Sequence, residues 1–146
     1  MPTIVRARSI EAPQDAVWGV VSDPYHLPRW WPRVDRVEDV SDDAWTTVTR
    51  SSRGRAVRFD YTRVYAHPPD KIVWRQELAD TPFERFMREA VTGVILSAGD
   101  GGGTRVELRI VRRLRGLARF GGVQMRRAAK RELDEALQLL DQAVVA

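Results

Sequence analysis

The chain has 146 residues, of which 43% are hydrophobic and 30% charged, and its formal net charge is +4. This length and balance are typical of a soluble globular chain with a real core, and we expect residues 1–146 to form one domain. No apolar run reaches the roughly eighteen residues of a membrane span, which excludes membrane-spanning helices. Cysteine is absent, which excludes disulfides and thiolate metal sites. Because the N-terminal residues also lack the apolar core of a signal peptide, we expect a cytoplasmic protein.

The first part of the chain predicts one strand and two short helical pieces. Residues 3–11 alternate loosely and favour a strand. The next stretch favours a helix, because four apolar residues recur near helical spacing: Val17, Trp18, Val20 and Val21. The following segment, "DPYHLPRWWPRV" (residues 23–34), has three prolines and two adjacent tryptophans. Proline breaks helices and central strands, so we expect only a turn or a single helical turn over residues 27–31.

Six further strands are predicted, joined mostly by turns of hairpin length. The clearest alternation lies in residues 55–66, and the most regular is in residues 104–114, after the glycine-rich turn "GDGGG". Strands joined in this way form an antiparallel sheet with one face open to water. The six stretches are residues 36–40, 45–51, 55–66, 72–78, 83–98 (in the second half of that range) and 104–114.

The last segment, residues 121–146, predicts a long amphipathic helix. Its apolar residues recur at steps of three and four: Met125, Ala129, Leu133, Ala136, Leu137, Leu140 and Val144. A helix of about 24 residues is roughly 36 Å long, which is enough to cross a sheet of this size. The order of elements therefore predicts an α+β fold, in which a curved antiparallel sheet of about seven strands wraps around one long C-terminal helix.

This order, together with four short motifs, resembles the START-like (SRPBCC) superfamily, and most of all its polyketide cyclase/dehydrase group. The motifs are "IEAPQDAVWGVVSDPYHLPRWWP", "PPDKIVW", "GGGTRVEL" and the amphipathic C-terminal helix. The resemblance covers nearly the whole chain. It implies a helix-grip fold with a deep, largely apolar cavity between sheet and helix. Members of the superfamily bind lipids, polyketides, hormones or quinones, and some catalyse cyclisation or dehydration.

The resemblance implies one catalytic candidate. In the aromatase/cyclase branch an arginine on the strand before the proline turn faces the cavity, and the motif "YTRVYAHPPDK" puts Arg63 at that position, with Phe59 and Tyr61 on the same strand face. A guanidinium there could stabilise an enolate or oxyanion. The alternative is that Arg63 sits near the strand end and pairs with Glu77 or reaches solvent. The branch's cavity tyrosine corresponds to Val34, which cannot act as an acid.

Two further strands and the helix supply the remaining candidates. Alternation in residues 72–78 favours Trp74 inward, whereas the resemblance turns Arg75 and Glu77 inward instead. In the next strand we expect Thr92 and Val94 to face inward. The helix stripe is first of all core, but in a gripped-helix fold its middle would also roof the cavity, which adds Met125, Ala129 and Leu133.

The adjacent tryptophans Trp30 and Trp31 point in different directions, because neighbouring helical residues are about 100° apart. We expect one to anchor the segment in the core and the other to face the cavity mouth. The complete set of predicted ligand-binding residues is Trp30, Trp31, Phe59, Tyr61, Arg63, Trp74, Thr92, Val94, Met125, Ala129 and Leu133.

Other chemistry finds no support in the sequence. The two histidines, His26 and His67, are too far apart for a pair on one helix face, and no HExxH or GxSxG motif occurs. The "GDGGG" turn lacks the lysine and the helix of a phosphate loop. We therefore expect no metal and no cofactor.

Three functions remain, and whether the protein is an enzyme stays open. The first is binding of a small hydrophobic or aromatic ligand, such as a polyketide, a lipid or a quinone-like molecule. The second is a polyketide aromatase/cyclase or dehydrase that uses Arg63. The third, disfavoured, is binding to ribosomal RNA or an anionic membrane surface through residues 105–131, which hold ten basic residues and one acidic residue. A solvated strand face and helix flank explain that charge more simply. We expect a monomer or a homodimer.

Overall fold

A computed structural model describes residues 3–116 and 121–145. Seven strands form one antiparallel sheet in the order β1-β7-β6-β5-β4-β3-β2. The elements are β1 (Thr3–Ile10), α1 (Gln14–Val21), α2 (Leu27–Trp30), β2 (Val34–Glu38), β3 (Ala44–Arg50), β4 (Ala56–His67), β5 (Lys71–Gln76), β6 (Met87–Ala98), β7 (Thr104–Leu114) and α3 (Gly122–Val145). The predicted α+β fold, with a seven-stranded sheet, two short helices and a long C-terminal helix, is confirmed.

The middle of the sheet is built from strands with one apolar face. In β7 the side chains of Val106, Leu108 and Ile110 are buried, whereas Arg105 and Arg109, which alternate with them, are exposed. The neighbouring strand β6 places Val94 and Leu96 in register with Leu108 and Val106, on the same face. Side chains alternate between the faces of a strand, so this pattern leaves one face of the sheet apolar and the other charged.

Helix α3 lies against the apolar face and fills the curve of the sheet. Its buried residues are Ala129, Leu133, Ala136, Leu137 and Leu140. Burying a leucine side chain contributes about 1.5–3 kcal/mol, so these leucines hold the helix on the sheet. Two ion pairs align the helix with β1: Arg6 Nε lies 2.8 Å from an Asp134 carboxylate oxygen, and Arg8 Nη2 lies 2.7 Å from one of Asp141.

The proline-rich segment forms two tight turns. Helix α1 ends at Ser22, whose hydroxyl donates to the carbonyl oxygen of Trp18 at 2.6 Å, and a 3-10 turn (Pro24–His26) follows. Helix α2 then makes a single turn, with a proline in its first turn. Trp31 leaves the helical conformation with ψ 127°, so the chain turns into β2. The expected single helical turn is thus present.

Several predicted strand boundaries, including the end of β5 at Gln76 rather than at residue 78, differ from the structure by a few residues, and the backbone explains two of them. Strand β2 covers residues 34–38 rather than 36–40, because Asp39 has φ 52° and leaves the extended conformation. Strand β6 begins at Met87, and before it Pro82–Arg85 forms a 3-10 turn, in which the Thr81 side chain accepts a hydrogen bond from Phe83 N. None of the helices in the described ranges is both long and apolar enough to cross a bilayer.

Candidate functional site

A cavity of about 530 Å³ lies between the concave face of the sheet, α2 and the N-terminal part of α3. Most of its wall is aromatic or aliphatic. The aromatic side chains that line it include Trp31, Trp45, Phe59, Tyr61, Trp74 and Phe83. The 3-10 turn Pro82–Arg85, which holds Phe83, therefore contributes to the wall together with strands β3, β4 and β5.

The floor of the cavity is a row of side chains that runs across three strands. Trp45 on β3 pairs in register with Tyr61 on β4, which pairs with Gln76 on β5. The Trp45 and Tyr61 rings stack with centroids 5.9 Å apart and an interplanar angle of 22°. Trp74 packs edge-on against Trp45 at 5.9 Å. Aromatic contacts of this kind stabilise a pair by about 0.5–1.5 kcal/mol beyond burial, so they help to hold the three rings of the floor together.

The two adjacent tryptophans take different places. Trp30 is fully buried in the core, whereas Trp31 is half-buried and lines the cavity. Their rings meet edge to face with centroids 5.3 Å apart, and Trp31 also contacts Trp74 at 6.1 Å. The structure therefore places Trp30 as the anchor of the proline-rich segment and Trp31 as part of the cavity wall.

A small polar cluster faces the floor from the side of the helix. Glu132 on α3 accepts two hydrogen bonds, from Trp31 Nε1 at 3.1 Å and from Arg112 Nη2 at 3.1 Å. Burial raises the pKa of Tyr61 to about 12, and the negative charge of Glu132 acts in the same direction. The positive charge of Arg112 and a hydrogen bond with the Thr47 side chain oppose this rise of the pKa. Tyr61 is therefore a neutral phenol at physiological pH.

A family model described as polyketide cyclase/dehydrase and lipid transport matches residues 1–145. This chain belongs to that family. No curated protein sequence matches the chain.

Among solved structures, a START superfamily protein from Mycobacterium smegmatis superposes with a TM-score of 0.79 at 12% identity, over 97% of this chain and 96% of that one. The protein TTHA0849 from Thermus thermophilus superposes with a TM-score of 0.73 at 20% identity, over 99% and 97% of the two chains. The di-domain aromatase/cyclase StfQ of the steffimycin biosynthetic pathway gives 0.76 at 16% identity, over 97% of this chain and 50% of StfQ. At these identities the likeness shows a shared START-like, helix-grip fold.

Arg63 is not among the residues that line the cavity, although its pairing with Trp74 places it on the same strand face as Tyr61. Its guanidinium donates to the carbonyl oxygen of Asp42, and Nη2 lies 3.3 Å from Asp43 Oδ1. Both partners belong to the turn between β2 and β3, at the end of the sheet. Arg63 is therefore paired with a carboxylate, as the alternative interpretation stated, but the carboxylate belongs to Asp43 and not to Glu77.

The remaining predicted residues fall into two groups. Six of them line the cavity: Trp31, Phe59, Tyr61, Trp74, Thr92 and Met125. Four lie outside the cavity wall, in the core or close to it: Trp30, Val94, Ala129 and Leu133. Val94 is in register with Ile72 and Leu108 at the closed end of the sheet, and Ala129 and Leu133 are completely buried in the core. The middle of the helix stripe therefore packs instead of roofing the cavity.

The orientation of β5 follows its apolar alternation. Trp74 and Gln76 face the cavity, whereas Arg75 and Glu77 lie on the other face and form an ion pair at 3.3 Å. The inward placement of these two charged residues, which the resemblance implied, is not found.

Sequence reasoning missed several cavity residues, above all Gln76, Arg112 and Glu132. Arg112 could have been found, because it continues the inward face of β7 two positions after Ile110. Glu132 follows Met125 by seven residues, so both lie on the same side of α3. The sequence signal for this pair was one charged residue on the apolar face of β7, Arg112, and one on the apolar face of α3, Glu132.

The basic stretch of β7 is mostly neutralised within the protein. Arg105 and Arg109 each contact Glu107, at 3.4 Å and 3.0 Å, and Arg113 contacts Glu89 at 2.8 Å. These paired charges lower the electrostatic potential that an anionic surface would meet. Within residues 3–116 and 121–145, no cluster of acidic or histidine side chains could hold a metal ion.

Proposed function

We propose that this member of the family binds a small hydrophobic or aromatic ligand, such as a polyketide, a lipid or a quinone-like molecule, in the cavity between the sheet and α3. The observation that carries the proposal is the cavity itself, with about 530 Å³ of space and a wall that is mostly aromatic or aliphatic. Ligand sites in proteins are typically concave and mostly apolar, with a few polar groups that fix orientation. The cluster of Trp31, Glu132 and Arg112 supplies such groups here.

The geometry favours binding over the cyclase or dehydrase alternative. That reaction needs a cation or an acid directed at the ligand. Arg63 is held by the β2–β3 turn, and the charge of Arg112 in the cavity wall is already paired with Glu132. The other two arginines of the wall, Arg33 and Arg50, are exposed to solvent. Tyr61 would be a weak acid, because its pKa is raised to about 12. Ligand binding requires none of these groups to react.

Equilibrium dialysis with fluorene, a planar tricyclic hydrocarbon, tests the proposal. Ala90 lines the cavity and is buried, so Ala90→Leu fills part of the space. We expect fluorene to bind the wild-type protein and Ala90→Leu to raise its Kd roughly ten-fold, since inserting methylenes into a packed site costs about 1–3 kcal/mol.

The matched control is Ala98→Leu, because Ala98 lies on the same strand but is exposed at its end. This variant should bind fluorene as the wild type does. Native mass spectrometry of the freshly purified protein checks separately for a copurified ligand. Wild-type protein that takes up no fluorene, or equal Kd values for wild type and Ala90→Leu, would refute a ligand cavity at this place.

A further inference from the structure

Two nitrogen atoms in the floor of the cavity have unmet hydrogen-bonding capacity. Trp45 is 4% exposed and Gln76 is 8% exposed, and both line the cavity. Trp45 Nε1 and Gln76 Nε2 are buried, and no group in residues 3–116 and 121–145 pairs with them. A buried donor without a partner costs about 1–3 kcal/mol, so the folded protein is stabilised by any molecule that supplies an acceptor.

The two donors belong to one row of the sheet. Trp45, Tyr61 and Gln76 are cross-strand neighbours on β3, β4 and β5, all on the concave face. Adjacent strands lie about 4.8 Å apart, so the two donor residues flank Tyr61 within the span of one small aromatic molecule. Neither nitrogen has accessible surface in this conformation, so a ligand on this floor accepts a hydrogen bond from one of them only after its side chain turns.

On the opposite wall, Glu132 is already engaged with protein donors. Each carboxylate oxygen of Glu132 already accepts one hydrogen bond, from Trp31 or from Arg112. The Arg112 guanidinium has five N–H donors, and one of its nitrogens is committed to Glu132. By contrast, Trp45 Nε1 and Gln76 Nε2 have no hydrogen-bond partner within residues 3–116 and 121–145.

We propose that Gln76, assisted by Trp45, forms a donor subsite that selects ligands bearing a hydrogen-bond acceptor oxygen, such as an aromatic ketone, over hydrocarbons or donor-only molecules of the same shape. This inference rests on the proposed function. Rotation of the Gln76 amide about its Cγ–Cδ bond brings the buried Nε2 to the cavity side, where a ligand carbonyl accepts a hydrogen bond from it. Gln76 is in this view a specificity-determining residue.

Three tricyclic probes of closely similar shape test the inference by equilibrium dialysis. Fluorene has no polar group, 9-fluorenone adds one carbonyl acceptor, and carbazole adds one N–H donor. We expect 9-fluorenone to bind roughly five- to ten-fold more tightly than fluorene, as one buried hydrogen bond to a waiting donor would give. Carbazole should bind no more tightly than fluorene.

The variant Gln76→Leu removes the amide and keeps a side chain of similar size. It should reduce the preference, taken as the ratio of the fluorene Kd to the 9-fluorenone Kd within each protein, to about two-fold or less. Its thermal midpoint should be no lower than that of the wild type, because an unpaired buried donor has been removed. Gln138→Leu is the matched control, since Gln138 is exposed on α3, and it should keep the full preference. Trp45→Phe, which keeps an aromatic ring, should lower the preference in part.

The outcomes separate this inference from the proposed function. If fluorene and 9-fluorenone bind the wild type with equal affinity, the donor subsite is refuted while ligand binding stands. Gln76→Leu that weakens all three probes equally shows a merely structural role and also refutes the subsite. If none of the three probes binds, the proposed function and the subsite are both overturned.

Discussion

Replacing each of the two adjacent tryptophans by alanine should separate stability from ligand binding. Trp30 is completely buried, and tryptophan buries about 150–250 Å² in a core. At about 25 cal/mol per Å² this gives roughly 4–6 kcal/mol, and measured Trp→Ala costs are about 3–5 kcal/mol. Trp30 Nε1 has no partner among the described residues, so its removal returns part of that cost. We expect Trp30→Ala to lower the free energy of unfolding by about 3–4 kcal/mol.

Trp31→Ala should behave differently. Its ring is only half-buried and already lies beside a cavity, so truncation creates little new void, and we expect a loss of about 2 kcal/mol. The same change removes one cavity wall and the hydrogen bond to Glu132. The Kd of fluorene should therefore rise roughly five- to ten-fold in Trp31→Ala and stay within about two-fold in Trp30→Ala.

Urea denaturation gives the stabilities, and equilibrium dialysis at a temperature where each variant is fully folded gives the affinities. A loss of 3–4 kcal/mol corresponds to a fall of about 6–16 °C in the melting temperature of a domain of this size. Trp30→Leu is the control for disruption, because it keeps an apolar side chain next to Trp31. If Trp30→Ala and Trp31→Ala lose equal stability and equal affinity, the assignment of one ring to the core and the other to the cavity is refuted.

Three further predictions follow from single side chains. The pKa of Tyr61 is raised to about 12, so the unfolded chain loses this proton first and the free energy of unfolding should fall by about 2 kcal/mol between pH 10 and 12. Tyr61→Phe should lack this fall, and the difference in ultraviolet absorbance between the two proteins reports the titration. Arg63→Ala should leave fluorene affinity unchanged, and a raised Kd in dialysis would contradict its placement outside the cavity. Gly103→Ala should destabilise the folded protein, because a Cβ there would lie 2.7 Å from the Ile10 carbonyl oxygen. Gly19→Ala in α1, where nothing lies within 4 Å of the added Cβ, should stabilise it by about 0.5–1 kcal/mol. Thermal denaturation measures both changes.

The architecture could be predicted because two simple periods dominate the sequence. Alternation by two in residues 104–114 matches β7, and the three- and four-residue steps after residue 121 match α3. The predicted boundaries of β2 and β6 were wrong because a single residue sets the backbone conformation at each of them. Asp39 takes a left-handed conformation and Thr81 caps a 3-10 turn, and neither residue type does so reliably enough to be read from a single sequence.

The cavity could be predicted only where the alternation continues without interruption. It placed Phe59 and Tyr61 correctly on the concave face of β4. Beyond them the pairing with β5 shifts between Arg63 and Tyr65, and this irregularity takes Tyr65 to the outer face beside Val73. A bulge of one residue reverses every later side chain, and nothing in the alternation itself marks where it occurs.

Trp45 shows a second limit of pattern reasoning. In β3 four consecutive residues are buried, from Trp45 to Val48, because both faces of this strand are covered. On the outer side Thr46 donates a hydrogen bond to Asp60 at 2.6 Å, and Glu38 nearby is held by Arg58 at 3.1 Å. When both faces are covered, hydrophobicity no longer distinguishes the inner side, and only the register with Tyr61 shows that Trp45 belongs to the cavity floor.

The proline-rich segment links the cavity to the core in a way that its composition explains. Prolines limit α2 to one turn, so Trp30 is its last residue and Trp31 already has an extended backbone. The two rings can then meet edge to face while one packs in the core and the other donates to Glu132. In a longer helix, Trp30 and Trp31 would both project from the same helix, about 100° apart around its axis. The break in the helix is therefore what brings an aromatic wall and a polar contact to the same side of the cavity.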